Sequence, residues 1–211
     1  QAGNKDSVVS VRDDGLGGLT PVADDPRGIA HAIWSPDQQW IVFRTSVEGA
    51  NGADIFAILA DGTGSRLPVV TSPGSDVTPV FSPDGRWLAY VSDESGTLEV
   101  YLRPFPNVND RRVKVSVRGG TQPRWAAGSG ELFFLGPENQ LMAVRVRTRP
   151  ELEVGAPRPL FSVTPFRLVT AFHQQYDVSP DGQRFVMIAT GGSPQIVRID
   201  NWLAEYPELR R

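Results

Sequence analysis

Phe81-Ser-Pro-Asp-Gly-Arg-Trp-Leu-Ala-Tyr-Val-Ser-Asp93 is the clearest copy of a motif that recurs along this chain of 211 residues. A Ser-Pro-Asp turn also precedes an apolar segment at Ser35 and at Ser179, and a weaker copy surrounds Ala126. The reference positions Ser35, Ser82, Ala126 and Ser179 are separated by 47, 44 and 53 residues. Periods of this size are typical of stacked repeat units.

One repeat, residues 76–117, has the pattern of four antiparallel strands. Its turns contain Pro, which presets φ, and Gly, which accepts positive φ. The segment from Trp87 to Val91 is apolar throughout, as expected of a strand covered on both faces. A lone four-stranded sheet would leave two apolar faces in water, whereas radial stacking buries both. The pattern therefore predicts an all-β fold, a β-propeller of four-stranded antiparallel blades, with a β-sandwich as the alternative.

We expect residues 1–211 to form a single propeller domain with about four to five blades. Residues 7–22 would supply two strands of an incomplete first blade, and residues 173–202 a last blade of three strands. Full blades are predicted at residues 29–70, 76–117 and 120–163. A short helical turn should follow at the C-terminus, from Trp202.

The incomplete ends leave three arrangements open. The simplest is closure within one chain, in which the N-terminal strands pair beside the last unit. Alternatively, the N-terminal strands of one copy complete the last blade of the next, a head-to-tail contact. The third is that the chain is a fragment of a longer propeller.

The composition excludes several classes of function. The net charge is −3 and the charges are scattered, so we expect no nucleic-acid binding. No apolar run is long enough to cross a membrane, and no targeting segment is visible. The chain has no cysteine, which excludes disulfides. We expect a protein partner or further copies of the chain itself, no membrane insertion and no cofactor.

The Ser-Pro-Asp-Gly turn followed by an apolar strand resembles the PD40, or WD40-like, repeat of TolB-like β-propellers. Residues 81–93 match closely, and residues 178–188, 33–46 and 125–135 progressively less well. The closing segment from Ile196 to Trp202 resembles the end of propellers attached to some bacterial serine/threonine kinases. The resemblance implies a periplasmic or extracellular scaffold, a sensor module or a domain that gates a peptidase.

The repeated turns could be mistaken for an active site because acidic residues recur in them. A spacing of about one per blade places these residues far apart around the ring, so we interpret them as structural turns. They are Asp37, Asp84, Gly85, Asp181 and Gly182. The aromatic residues Trp34, Trp40, Trp87, Trp125 and Phe185 are interpreted as core between blades.

A second polar set lies in or just before the first strand of each blade, the strand that lines the central channel. These residues are candidates for a ligand-binding channel mouth, because convergent polar groups in a concave surface are typical of binding sites. We favour the simpler interpretation that the channel entrance of any propeller is hydrated and lined by polar residues. They are His31, Asp76, Thr78, Gln122, Arg124, His173 and Gln175.

Known catalytic patterns are not found in the sequence. No nucleophile elbow, phosphate-binding loop or kinase signature occurs, and two histidines are too few for a convincing zinc site. We therefore predict no catalytic residues, no metal and no enzyme activity. The predicted function is a non-catalytic protein-interaction or assembly module, self-associating through its incomplete terminal blades. The alternatives are a ligand-sensing domain of a larger kinase-type receptor and an accessory gating propeller of a peptidase.

Overall fold

The computed structural model describes residues 6–11, 18–47, 52–166 and 173–189, and the backbone of residues 195–200. The described residues form eighteen strands and one short 3-10 helix, Pro137–Asn139. The strands are β1 (Val8–Ser10), β2 (Thr20–Ala23), β3 (Ile29–Trp34), β4 (Trp40–Thr45), β5 (Ile55–Leu59), β6 (Leu67–Val70), β7 (Asp76–Phe81), β8 (Trp87–Ser92), β9 (Glu99–Pro104), β10 (Val113–Lys114), β11 (Thr121–Ala126), β12 (Glu131–Leu135), β13 (Gln140–Arg147), β14 (Glu153–Val154), β15 (Arg158–Ser162), β16 (Tyr176–Val178), β17 (Arg184–Ala189) and β18 (Gln195–Asp200).

These strands pair antiparallel in five sheets, which we number in chain order. Sheet I is the hairpin β1–β2, sheet II is β3–β6, and sheet III is β7–β10. Sheet IV contains β11–β15, with both β14 and β15 paired to β13, and sheet V contains β16–β18. The all-β propeller prediction is confirmed. The expected C-terminal helical turn lies outside the described residues.

Two strands differ from the sequence prediction. β14, a two-residue strand beside β13, was not expected. The fourth strand of the repeat at residues 76–117 was expected to reach the end of that repeat, but the β10 ladder covers only Val113–Lys114. The chain beyond it stays attached to Val100 of β9: the Val115 amide donates to the Val100 carbonyl oxygen at 2.8 Å, and the Ser116 hydroxyl accepts a hydrogen bond from the Val100 amide at 2.8 Å.

Successive sheets pack face to face. The alternation of residues along the second strand of a sheet shows which face packs on which neighbouring sheet. In sheet III, Leu88 and Tyr90 belong to the core shared with sheet II. Ala89 and Val91 alternate with them and belong to the core shared with sheet IV. Because side chains alternate along a strand, each sheet presents one face to its predecessor and the other to its successor.

The hairpin of sheet I covers part of the outer face of sheet II. Val8 and Ala23 pack on a cluster of Ile29, Phe43 and Phe56. An ion-pair network adjoins it: the buried Asp25 carboxylate lies between Arg27 and Arg66. Burial opposes ionisation of Asp25, but hydrogen bonds from the Arg27 amide and from Arg66 hold its pKa below the usual range.

Sheets I and V are not joined by a ladder in the described residues. β1 and β2 pair with each other, and the described ladders do not join them to β16, β17 or β18. The expected pairing of the N-terminal strands beside the last unit is therefore not seen. Trp34 is a second correction: it was expected in the core but is 55% exposed. Its counterparts Phe81 and Trp125 pack on the preceding sheet, and the preceding sheet of Trp34 is only a hairpin.

None of the helical segments in the described ranges has the length and apolar character needed to cross a bilayer.

Candidate functional site

The first strands bring four polar residues to equivalent places. His31, Thr78, Gln122 and Gln175 each lie four residues before the reference position of their repeat. β7 packs against both β3 and β11, and β11 also packs against β16, so these positions follow one another around the channel. The sequence-predicted channel mouth thus contains a series of four equivalent positions.

The backbone is strained at two of these positions. Thr78 and Gln122 have φ of 48° and 53°, in the left-handed region that non-glycine residues rarely adopt. Both lie in β-bulges, where two residues of the first strand face one residue of the second strand. A bulge at this place turns a side chain away from the regular direction of the strand. Such strain at equivalent positions is typical of architecture that presents particular side chains.

Gln122 and Gln175 join sheets IV and V. The backbone amide of Gln175 donates to Gln122 Oε1 at 2.9 Å, and Gln122 Nε2 donates to Gln175 Oε1 at 3.3 Å. The buried Tyr176 hydroxyl donates to the Gln122 carbonyl oxygen at 2.9 Å. Burial raises the pKa of Tyr176 above its usual value, so the hydroxyl stays protonated. This part of the mouth braces two sheets against each other.

The carboxylate of Asp76 accepts hydrogen bonds from the turn that leads into β7. The donors are the Ser72 amide at 2.8 Å and the Ser72 hydroxyl at 2.9 Å. The residue is fully buried, and this burial raises the pKa of Asp76. Although the sequence placed Asp76 at the channel mouth, its oxygens are engaged in local structure.

The opposite part of the mouth carries positive charge. His31 is half-buried, and burial, followed by the charges of Arg44 and Arg124 and by His173, lowers its pKa. Arg124 lies 3.8 Å from the exposed carboxylate of Asp177, a long ion pair. His173, Arg124 and His31 therefore share one electrostatic environment with Arg44.

Arg44 was missed by the sequence analysis. It directly faces His31 across the β3–β4 ladder and is only 3% exposed. The signal in the sequence was a charged residue in an otherwise apolar second strand. At the equivalent position, sheet III has Val91 and sheet V has Ile188. That break in the repeat pattern could have identified the residue.

The turn residues lie at the other end of the first strands. In each Ser-Pro-Asp turn the serine hydroxyl donates to the aspartate carboxylate, as Ser82 does to Asp84 at 2.7 Å. The serine oxygen in turn accepts the amide of the first residue of the next strand, Trp87 in this case, at 3.0 Å. Asp37 and Asp181 repeat this arrangement. The pKa of Asp37 and of Asp181 is lowered by the hydrogen bond from the turn serine and by a second one from the backbone amide two residues after the aspartate.

Asp84 has additional partners in the next sheet. Its second carboxylate oxygen accepts a hydrogen bond from the Thr148 hydroxyl at 2.9 Å and lies 3.4 Å from Arg149 Nε. The adjoining Gly85 and the equivalent Gly182 have φ of 71° and 72°. These contacts give the turns a role in chain reversal and in linking sheets III and IV.

Other concave surfaces are separate from this mouth. A cavity of about 560 Å³ has a mixed lining that includes the apolar Phe134, Met142 and Leu160 and the charged Arg118 and Glu138. Within the described residues, no group of three or more His, Asp or Glu side chains is placed to hold a metal ion.

Comparison with solved structures shows that the fold is shared with several propellers. TolB from Acinetobacter baumannii matches 92% of this chain over 46% of its own length, with 18% identity and a TM-score of 0.64. An oligogalacturonate lyase in complex with manganese matches 92% of this chain over 54% of its own, with 15% identity and a TM-score of 0.70. The chain thus spans about half the length of these proteins.

A third structure, a puromycin-hydrolysing peptidase of Mycobacterium tuberculosis, matches 87% of this chain over 29% of its own length. Its identity is 15% and its TM-score 0.59. Neither protein-family models nor the curated protein sequences gave a match. The likeness to TolB is therefore one of fold, and the resemblance to kinase-attached propellers remains a prediction.

The prediction that the chain is not an enzyme needs correction. The same fold occurs in proteins described as an oligogalacturonate lyase and as a puromycin-hydrolysing peptidase. A propeller of this kind can therefore occur in an enzyme. The fold and the missing sequence signatures give no ground for excluding catalysis.

Proposed function

We propose that this chain is a protein-interaction and assembly module that joins a second copy of itself through its two end sheets. The observation that carries the proposal is a contrast in exposure between equivalent residues. Val186 and Ile188 of sheet V are 43% and 39% exposed, whereas the equivalent Ala89 and Val91 of sheet III are fully buried. Exposed apolar residues grouped on one sheet face are typical of interaction surfaces.

The exposed faces of the two end sheets correspond to the two faces that pack together between neighbouring sheets inside the array. Val186 and Ile188 lie on the successor face of sheet V, and Trp34 lies on the predecessor face of sheet II. Between sheets III and IV, the same two kinds of face form a buried core. The predecessor face of one copy therefore offers a matching surface to the successor face of another.

We propose a second copy of the chain as the occupant of these faces. The chain spans about half of the TolB and oligogalacturonate lyase chains that share the fold. Two copies meeting head to tail at both ends would supply a comparable number of sheets and close a ring. We also propose a periplasmic or extracellular location, which the likeness in fold to TolB supports.

The mass of the purified chain in solution tests this function. We expect light scattering to give a dimer or larger assembly, and the double variant Val186→Lys/Ile188→Lys to be a folded monomer. Val117→Lys is the matched control, because Val117 is 63% exposed but lies outside the end faces. A wild-type chain that stays monomeric at every concentration would contradict the proposal and favour a longer propeller that supplies the missing sheets.

Ligand binding at the channel mouth is the second candidate function. It is favoured by the cationic half of the mouth, where Arg44 and His31 face each other. This function would suit a ligand-sensing domain of a larger kinase-type receptor. The alternative of a gating propeller is supported by the likeness in fold to the puromycin-hydrolysing peptidase.

A further inference from the structure

Arg44 is a buried cation without an acidic partner among the described residues. Its Nε atom is buried and has no acceptor there. Its Nη1 atom makes a long hydrogen bond to the Thr45 carbonyl oxygen, at 3.4 Å. An arginine keeps its charge at all ordinary pH values, and a buried charge is unfavourable unless it is paired. The position therefore requires a negative group that these residues do not supply.

Two further polar atoms nearby are buried without partners. His31 Nδ1 belongs to the residue opposite Arg44 in the ladder. Thr78 Oγ1 belongs to a residue that is 2% exposed and has a strained backbone. β7, which carries Thr78, packs against both β3 and β4. Unused hydrogen-bonding groups thus lie on adjoining strands of sheets II and III, and buried groups without partners are rare in folded proteins unless something binds them.

We propose that Arg44, His31 and Thr78 form a binding subsite for a carboxylate group, at the channel end of the joint between sheets II and III. The planar guanidinium can bind a carboxylate through two parallel hydrogen bonds. The imidazole, in the tautomer that carries its proton on Nδ1, and the threonine hydroxyl can each donate one more. The proposal names the ligand class for the second candidate function, ligand binding at the channel mouth, and is independent of the assembly function.

The local charges favour a singly charged ligand. Arg124 is near the Asp177 carboxylate, and burial raises the pKa of Asp76 and so favours its neutral form, which leaves the positive charge of Arg44 to be balanced. A carboxylate supplies one negative charge, whereas phosphate carries nearly two at neutral pH. The carboxylate could belong to a free small molecule or to the C-terminus of a polypeptide.

Thermal melting of the full chain tests the subsite. Sodium acetate should raise the melting temperature above that in sodium chloride of equal ionic strength, because a ligand that binds only the native state stabilises it. N-acetylglycine, a mimic of a peptide C-terminus, should also stabilise, and the neutral N-acetylglycinamide should not. Binding of N-acetylglycine more tightly than acetate would indicate a polypeptide terminus, and equal binding a small free carboxylate.

Arg44→Met should weaken the affinity for acetate, measured from the shift in melting temperature, by about tenfold or more, since it removes the charge-assisted hydrogen bonds. Without ligand, this variant should melt at or above the wild-type temperature, because methionine relieves an unpaired buried charge. Arg86→Met is the control, since Arg86 is exposed and lies at the turn end of sheet III. It should respond as the wild type does.

Three results would overturn the proposal. They are equal melting in acetate and chloride, an undiminished acetate response in Arg44→Met, and a larger response to phosphate than to acetate. If Arg44→Met does not fold, Thr78→Val and His31→Ala replace it in the same experiment. Full acetate affinity in both of these variants would likewise exclude the subsite.

Discussion

Gln38 takes the place of the turn glycine in the first Ser-Pro-Asp repeat. Its φ is 61°, against 71° for Gly85 in the next repeat. A side chain in this region of backbone space is strained, whereas glycine is not. Gln38→Gly should therefore raise the free energy of unfolding, by about 1 kcal/mol or less after allowing for the greater freedom of glycine in the unfolded chain.

Urea denaturation would measure this change. The control is Gln39→Gly, which lies outside the left-handed region and should be neutral or destabilising. The reverse substitution, Gly85→Val, should cost on the order of 1–3 kcal/mol, because it places a β-branched side chain at positive φ. A Gly85→Val protein of native stability would show that this turn does not depend on glycine.

His31 should make stability dependent on pH. Its pKa is lowered by burial and then by Arg44, Arg124 and His173, so the folded protein favours the neutral imidazole. The unfolded chain, in which a histidine has a pKa of about 6.5, then binds more protons. Stability from this residue is therefore complete above about pH 6.5 and falls as the pH drops towards the folded value.

Denaturation midpoints across that pH range provide the measurement. His31→Gln should flatten the decrease below about pH 6.5, because glutamine does not titrate there. His173→Gln serves as the matched control and should retain most of the slope. An equally steep decrease in His31→Gln would show that other groups cause it.

The sequence was more informative about turns than about the binding surface. The Ser-Pro-Asp letters encode a local hydrogen-bond pattern, so Asp84 and Gly85 could be placed from sequence alone. A break in the repeat pattern marks Arg44 in the sequence, but its unpaired charge could not be predicted, because that depends on which sheet covers β4 and on which carboxylates come near. Asp76 was assigned to the mouth, but the Ser72 hydrogen bonds that occupy it are formed only in the folded turn.

The N-terminal hairpin is the element whose contribution can be isolated. β1 and β2 shield Phe43, Ile29 and Phe56, of which Phe43 is fully buried. Deleting residues 1–22 should lower the free energy of unfolding by a few kcal/mol, since about 25 cal/mol is lost for each Å² of apolar surface returned to water. Urea denaturation of the shortened chain would show the shift.

Phe43→Ala provides the control for that deletion. In the full chain it should cost about 3–5 kcal/mol, and in the shortened chain less, because Phe43 is then already partly exposed. An unchanged midpoint after deletion would show that the hairpin does not stabilise sheet II.

The limits of prediction differ between elements. Strands with continuous apolar runs, such as β8, followed from pattern alone, because both faces are covered by other sheets. β14 has only two residues, Glu153 and Val154, and no apolar alternation to reveal it. Trp34 was assigned to the core because its repeat position is apolar, but burial depends on whether a complete neighbouring sheet exists.

The whole molecule should be most stable in its middle. Sheets III and IV are covered on both faces, whereas β17 alternates between buried and exposed residues. In a stacked array, stability is close to a sum of repeat and neighbour terms, so sheets with one neighbour open first. Hydrogen exchange followed by mass spectrometry should show slower exchange in β8 and β12 than in β17. Equal protection of β8 and β17 in a monomer would contradict this gradient.

The alternation of predecessor and successor faces also gives the array a direction of growth. A Val186→Lys/Ile188→Lys chain would keep an intact Trp34 face, so it could attach to an assembly but could not be extended. In an open filament, a small amount of this variant would act as a chain terminator. The average filament length would then decrease by a much larger factor than the fraction of variant added. In a closed two-copy ring, each variant copy could engage at most one wild-type partner, so the loss of rings would stay proportional to the amount of variant added. Titration of variant into wild type would therefore distinguish polymerisation from ring closure without imaging either assembly.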